Sequence, residues 1–264
     1  MNLENITEKV VELCYTVGHF IKAEQAKINA KDVEVKDLNS FVSYVDKEAE
    51  LKLVSGLKTI LPEAGFIAEE GTETKRGEVY NWIIDPLDGT TNYLHNLPIF
   101  AISIALAKKE EMVSGVVYEM GMDEMFYAWK DGGAFMNKKE ISVKKSTELK
   151  DTLLATGFPY YDFDRLPKYL NLLSECFQKT RGVRRFGSAA TDLAYVACGR
   201  FDGYFEYGLS PWDVAAGALL VKEAGGKVTD FSSGQDFIFG REILSGSSAI
   251  FNALEELVQN HMNA

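Results

Sequence analysis

Asp85 and Asp88 stand in the stretch Trp82-Ile83-Ile84-Asp85-Pro86-Leu87-Asp88-Gly89-Thr90-Thr91-Asn92, where an apolar run ends in two carboxylates, a glycine and two hydroxyls. These residue types suit a site for a divalent metal and a phosphate. Carboxylate oxygens are the hard donors that Mg²⁺ takes, Gly89 lets the backbone come close to a ligand, and the Gly89 and Thr90 N–H groups can face an anion. Glu69, at the end of a second apolar run, and Asp213, behind Pro211-Trp212, offer more carboxylates, and Asp46 offers another. Singly, each has a plainer role: Asp46 as complement to a helix dipole, Glu69 as a solvated charge, Asp213 as a helix cap. Several strand and helix ends carrying carboxylates, one of them with Gly-Thr-Thr attached, favour a shared site.

Hydrolysis of a phosphate monoester is among the slowest uncatalysed reactions, and its catalyst supplies up to ~10²¹-fold acceleration. Two hard cations about 3.5–4 Å apart can activate the water and stabilise the leaving oxygen. Other chemistries lack their residues. Asp85 and Asp88 are separated by two residues, not the one of a haloacid-dehalogenase-type Asp-x-Asp pair, and no Gly-x-Ser-x-Gly, Walker or His-Glu-x-x-His motif occurs. His19, His95 and His261 are scattered. The formal charge of −11 disfavours nucleic acid as the main partner, and an anionic substrate then needs bound cations to reverse the sign locally.

The elements that must position these groups are legible in outline. Leu3, Ile6, Val10, Leu13, Val17 and Phe20 recur at helical spacing to about Ala26. Residues 28–39 read as a loop or short hairpin carrying Lys31 and Lys36. A second helix starts after Ser43, holds Asp46 in its first turn and stops at Pro62. Strands follow over 64–68, 79–84, 99–107, 113–118 and 124–129, with Pro86 expected to end the one before the motif. From about residue 150 strands and helices alternate. The strands are 153–156, 183–186, 201–207, 228–231 and 243–245; the helices run from 166, 188, 211 and 248. Pro211 at a helix start and Gly225-Gly226 past its end follow the expected asymmetry. Two halves are predicted, 1–148 with the metal and phosphate site and 149–264 with substrate recognition and one metal ligand, sharing a tight interface. At 264 residues and 46% hydrophobic the chain can bury a large core. Cys14, Cys176 and Cys198 form no pair pattern, and no apolar run reaches the length of a membrane span, so a cytoplasmic protein is expected.

The stretch from Trp82 to Asn92, together with Trp212-Asp213-Val214-Ala215-Ala216-Gly217 through Glu223-Ala224-Gly225-Gly226, resembles the two signatures of the inositol monophosphatase family of Mg²⁺-dependent, Li⁺-sensitive phosphatases. The likeness runs from the first helix to the last. It implies a five-layered α/β/α/β/α sandwich of the inositol monophosphatase / fructose-1,6-bisphosphatase type. It also implies one Mg²⁺ on Glu69, Asp85 and the Leu87 carbonyl, a second on Asp85, Asp88 and Asp213, and a third on Glu69 and waters. Gly89, Thr90 and Thr91 would bind phosphate, and Thr90 with Asp46 or Glu69 would orient the attacking water, with no covalent intermediate. Gly187, Ser188, Ala189, Glu206 and Asp213 would contact the alcohol, and the Lys31 to Lys36 loop resembles one that closes over the metals. One departure is Ser43-Tyr44-Val45 ahead of Asp46. The resemblance implies hydrolysis of myo-inositol 1-phosphate, a small phosphorylated polyol, by a homodimer. Fructose 1,6-bisphosphate or another sugar or nucleotide phosphate is the alternative, and a binding partner of the transcription machinery is a reading from another class. Arg181, Arg184 and Arg185 read as a cluster at a domain or dimer interface.

Overall fold

The computed structural model describes residues 1–25, 27, 33–37, 40–146 and 148–263, with the backbone alone for 33–37 and 40–43. Lys31 lies outside the described residues. Helix α1 (Leu3–Gln25) and, after the hairpin β1 (Val33–Asp37) and β2 (Ser40–Ser43), helix α2 (Tyr44–Ile60) form the first layer. Lys36 falls on β1. A seven-stranded sheet forms the second, in chain order β3 (Gly65–Ala68), β4 (Tyr80–Asp88), β5 (Ala101–Lys108), β6 (Glu111–Glu119), β7 (Glu124–Trp129), β8 (Ala134–Met136) and β9 (Lys139–Ile141). Only β3 and β4 run parallel; the other pairs are antiparallel.

The second sheet has the order β11-β10-β12-β14-β13. Strands β10 (Leu153–Thr156), β11 (Gly182–Arg184) and β12 (Gly203–Tyr207) are parallel. Strands β14 (Glu242–Ser247) and β13 (Gly226–Thr229) continue it antiparallel. Between the sheets lie α5 (Ala189–Ala197) and α6 (Pro211–Glu223); beyond the second sheet lie α4 (Leu166–Lys179) and α7 (Phe251–Met262). The order is therefore helices, sheet, helices, sheet, helices, the five layers expected. Every residue of α5, and α6 from Val214 to Val221, is buried, because sheets cover both sides. Tyr195 and Arg200 on the second half reach Glu124 on β7, tying the halves together.

Alternation along β4 decides where the motif points. Trp82 and Ile84 enter the core under α1 and α2, while Ile83 enters the core around α5 and α6. Asp85 follows Ile83 onto that inner face. An unbroken strand would turn Asp88 the other way, but Asp85 pairs with Ser103 and Asp88 with Ala101, so three steps on β4 oppose two on β5. This one-residue bulge returns Asp88 to Asp85's face and leaves Leu87 in the outer core. It also corrects the expectation that Pro86 ends the strand. The β3 pairing stops at Ala68–Ile84, so the missing Pro86 N–H breaks no bond on that side.

Candidate active site

Glu69 directly follows β3, and its N–H donates to the Ile84 carbonyl at 3.2 Å, which sets it beside Asp85 at the carboxyl ends of two parallel strands. The turn that carries it is tied down by Glu50 of α2. That fully buried carboxylate accepts from the Glu70 N–H (2.8 Å), the Thr72 N–H (2.8 Å) and the Thr72 hydroxyl (2.7 Å). Asp85 Oδ1 accepts from the Leu87 N–H at 2.9 Å, and the Leu87 carbonyl accepts from Thr90 Oγ1 at 2.9 Å, closing the bulge on itself. Gly89 has φ of 88°, and a Cβ there would stand 3.0 Å from the Ile99 carbonyl oxygen. It is the N-cap of the short helix α3 (Thr90–Leu94). Asn92 donates to the Ile99 and Phe186 carbonyls (2.8 and 2.7 Å), hanging the Gly187-Ser188 turn of the second half from the first.

Two helix N-termini complete the constellation. Ser188 caps α5; its hydroxyl and the Ala190 N–H both donate to Asp88 Oδ2, at 2.7 and 2.8 Å. At α6, Ser210 and Asp213 form a capping box in which the Ser210 N–H donates to Asp213 Oδ2 at 2.7 Å. Asp213 is a cap, as its sequence position suggested, and its carboxylate faces the other acids as well. Ser103, opposite Asp85, donates to the Trp212 carbonyl at 3.1 Å and fixes this helix start to β5.

These elements surround a cavity of about 330 Å³ lined by Glu69, Asp85, Leu87, Asp88, Gly89, Thr90 and Thr91 from the first half, and by Gly187, Ser188, Ala189, Glu206 and Asp213 from the second. Asp46 is buried in the first turn of α2 and is not part of the lining. The lining also includes Arg185, Phe158, Tyr160 and Tyr161, none of which a sequence motif marked. Arg185 thus sits on the wall of the cavity that both halves line. Its guanidinium donates to the Tyr160 hydroxyl at 2.6 Å and lies over the Phe158 ring.

The electrostatics are those of crowded acids. Burial and repulsion from Glu69, Asp88 and Asp213 push the Asp85 carboxyl well above its usual range, and it shares a hydrogen bond with Glu69. Burial and the charges of Asp88 and Glu69 push Asp213 well above as well, against the Ser210 N–H. Asp88 rises to about 6 by burial, held down by hydrogen bonds from Ser188, Ala190 and Gly89 and by the Arg185 charge. Among the described residues no three His, Cys, Asp or Glu side chains already stand as a metal-holding group. The donor chemistry nevertheless fits Mg²⁺: all donors are oxygens, they are buried, and their mutual repulsion is what a divalent cation relieves.

The whole of this arrangement has a match. The family model described as "Inositol monophosphatase family" covers residues 2–263. The chain belongs to the inositol monophosphatase family. An inositol-1-monophosphatase of Mesorhizobium japonicum is 39% identical over 97% of this chain and 96% of its own. A protein of Pseudomonas aeruginosa named Nus factor SuhB is 40% identical over 94% of this chain and 93% of its own. The crystal structure of extragenic suppressor protein SuhB from Bartonella henselae superposes with a TM-score of 0.92 at 38% identity, covering 97% of this chain and 98% of that one. Membership in the inositol monophosphatase family supports phosphatase activity on a phosphorylated substrate, and the SuhB-named relatives leave the substrate open. No helix among the described residues is long and apolar enough to cross a membrane.

Proposed function

We propose that the protein is a Mg²⁺-dependent phosphatase that hydrolyses a small phosphorylated polyol, with myo-inositol 1-phosphate as substrate, by direct attack of water and without a covalent enzyme intermediate. The observation that carries this is the meeting of carboxylates from the ends of β3, β4 and α6 at one cavity beside Gly89-Thr90-Thr91. Glu69, Asp85 and the Leu87 carbonyl would hold one Mg²⁺, Asp85, Asp88 and Asp213 a second, and Glu69 with waters a third. When bound, the cations supply charge neutralisation for the phosphoryl oxygens and lower the pKa of water. The chain's own groups do the rest. Thr90 Oγ1, its proton directed to the Leu87 carbonyl, keeps lone pairs with which to accept a hydrogen bond from a water and orient it. Glu69 or Asp46 is the carboxylate that takes that water's proton, and of the two Glu69 lines the cavity.

The two halves divide the labour, residues 1–148 for phosphate and most of the metal ligands, 149–264 for the alcohol and one metal ligand, Asp213. Glu206, with Gly187-Ser188-Ala189, accepts hydrogen bonds from the substrate's hydroxyls. The protein works in the cytoplasm as a homodimer. The relatives named Nus factor motivate a second reading, a binding partner of the transcription machinery. Phosphate release from a substrate panel with Mg²⁺, with and without Li⁺, tests the first. Preference for myo-inositol 1-phosphate and loss of activity in Li⁺ are expected, and equal or greater turnover of fructose 1,6-bisphosphate would overturn the choice of substrate.

A further inference from the structure

Glu206 is held by Tyr204 and Gly157, neither of which belongs to the carboxylate cluster. It lies near the carboxyl end of β12, one alternation after Tyr204, so both side chains share a face. The fully buried Tyr204 hydroxyl donates to Glu206 Oε2. Glu206 lines the cavity, and its Oε1, with no hydrogen-bond partner among the described residues and not among their fully buried atoms, is the oxygen left open for a ligand. The carboxyl rests flat on the bare Cα of Gly157, where a Cβ would come within 2.0 Å of Oε2 and 2.1 Å of Oε1. Gly157 is itself fixed from behind. Tyr169 of α4, buried in the core between the second sheet and the helices α4 and α7, has its hydroxyl 3.1 Å from both the Gly157 and Phe205 carbonyl oxygens, bridging the end of β10 to β12. Thr156 Oγ1 donates to the same Phe205 carbonyl at 2.8 Å.

We propose that Tyr204 is a positioning residue for the substrate's alcohol: its hydroxyl, with Gly157 as the floor, locks the Glu206 carboxyl in the one orientation that presents Oε1 to the cavity. The inference rests on the reading of Glu206 as the group that recognises the alcohol. A side chain free to rotate would meet the substrate's hydroxyl only part of the time, and it would have to be ordered on binding. The lock therefore acts on affinity for a polyol phosphate and leaves the hydrolysis of a phosphate with no alcohol hydroxyls alone.

The test measures KM and kcat for myo-inositol 1-phosphate and for an aryl phosphate, with Mg²⁺, in wild type, Glu206→Gln, Tyr204→Phe and Gly157→Ala. Tyr204→Phe removes one oxygen and keeps the buried ring. It is expected to raise KM for the inositol phosphate about tenfold, the upper end of what one hydrogen bond contributes. The expected kcat, and both constants for the aryl phosphate, stay within about twofold of wild type. Gly157→Ala is expected to do the same if it folds; Tyr204→Phe decides if it does not. If Glu206→Gln separates the two substrates and Tyr204→Phe does not, the positioning role is overturned and the Glu206 reading stands. If Glu206→Gln treats both substrates alike, the reading and the inference fall together.

Discussion

Asp213→Asn is expected to abolish Mg²⁺-supported phosphate release while the chain stays folded, and Asp88→Asn is expected to do the same. The loss is set at more than about 100-fold, since even groups that merely support a metal ligand cost 10–100-fold when removed. Retention of the fold follows from what each carboxylate does besides. Asp213 Oδ2 accepts the Ser210 N–H at the start of α6, and an asparagine Oδ1 can take the same bond. Asp88 Oδ2 accepts from Ser188 and the Ala190 N–H, again within an amide's reach. What the amide removes is the charge, and in the metal-free protein that charge is a burden. The Asp213 carboxyl is raised by burial and by its acidic neighbours. A raised acid holds a proton in the folded chain that the unfolded chain gives up, so its presence lowers stability as pH rises. Thermal unfolding in EDTA at pH 8 is therefore expected to show Asp213→Asn at the wild-type midpoint or above it. A midpoint several degrees below wild type would mean that the lost activity is lost structure; near wild-type turnover would remove Asp213 from the metal site.

Glu206→Gln is expected to lose myo-inositol 1-phosphate and to keep an aryl phosphate. The glutamine occupies the same space over Gly157 but exchanges an acceptor pair for an amide. Glu206 also makes a prediction in pH. Burial lifts its carboxyl to about 8, with the Asp88 charge adding and the Tyr204 hydrogen bond and Arg185 subtracting. Its ordinary value is 4.5. Between these two pH values the unfolded chain releases a proton that the folded chain keeps, so the folded state loses stability across that window and no further above it. Glutamine has no such loss. In EDTA the unfolding midpoint of Glu206→Gln is expected to gain on wild type steadily from pH 5 to pH 8. A pKa unit corresponds to about 1.4 kcal/mol and 1 kcal/mol to roughly 2–4 °C at this chain length, so over these three pH units the gain is on the order of ten degrees. A constant offset between the two proteins over this range would show that Glu206 is ionised in the folded state.

Much of this site could be read from residue order because its parts sit where apolar runs stop. Glu69 after β3, Asp85 at the end of Trp82-Ile83-Ile84 and Asp213 after Ser210-Pro211 are each marked by a change from burial to charge within a few residues. The caps of α5 and α6 carry their signals locally. The bulge in β4 does not. Proline inside an apolar run signals an end to a ladder, and only the short β3 pairing explains why it is tolerated here. The five-residue α3 is too short to show a period. Glu50 lies four residues after Asp46, which puts both on one side of α2, but nothing in that spacing says that the turn after Glu69 closes on it. Arg185, Tyr160 and Gly157 reach the cavity through contacts between distant segments, and pattern along the chain carries no record of those. The acids were legible; Arg185, the one basic residue among the described residues of the lining, was not.

The most direct measurement is phosphate release from myo-inositol 1-phosphate as Mg²⁺ is titrated into protein stripped with EDTA, with Asp213→Asn alongside. The expected result is no release above background without the metal, a saturable rise in wild type, and no rise in the variant. Release that persists in EDTA, or that rises equally in Asp213→Asn, would contradict a metal-dependent phosphatase built on these carboxylates.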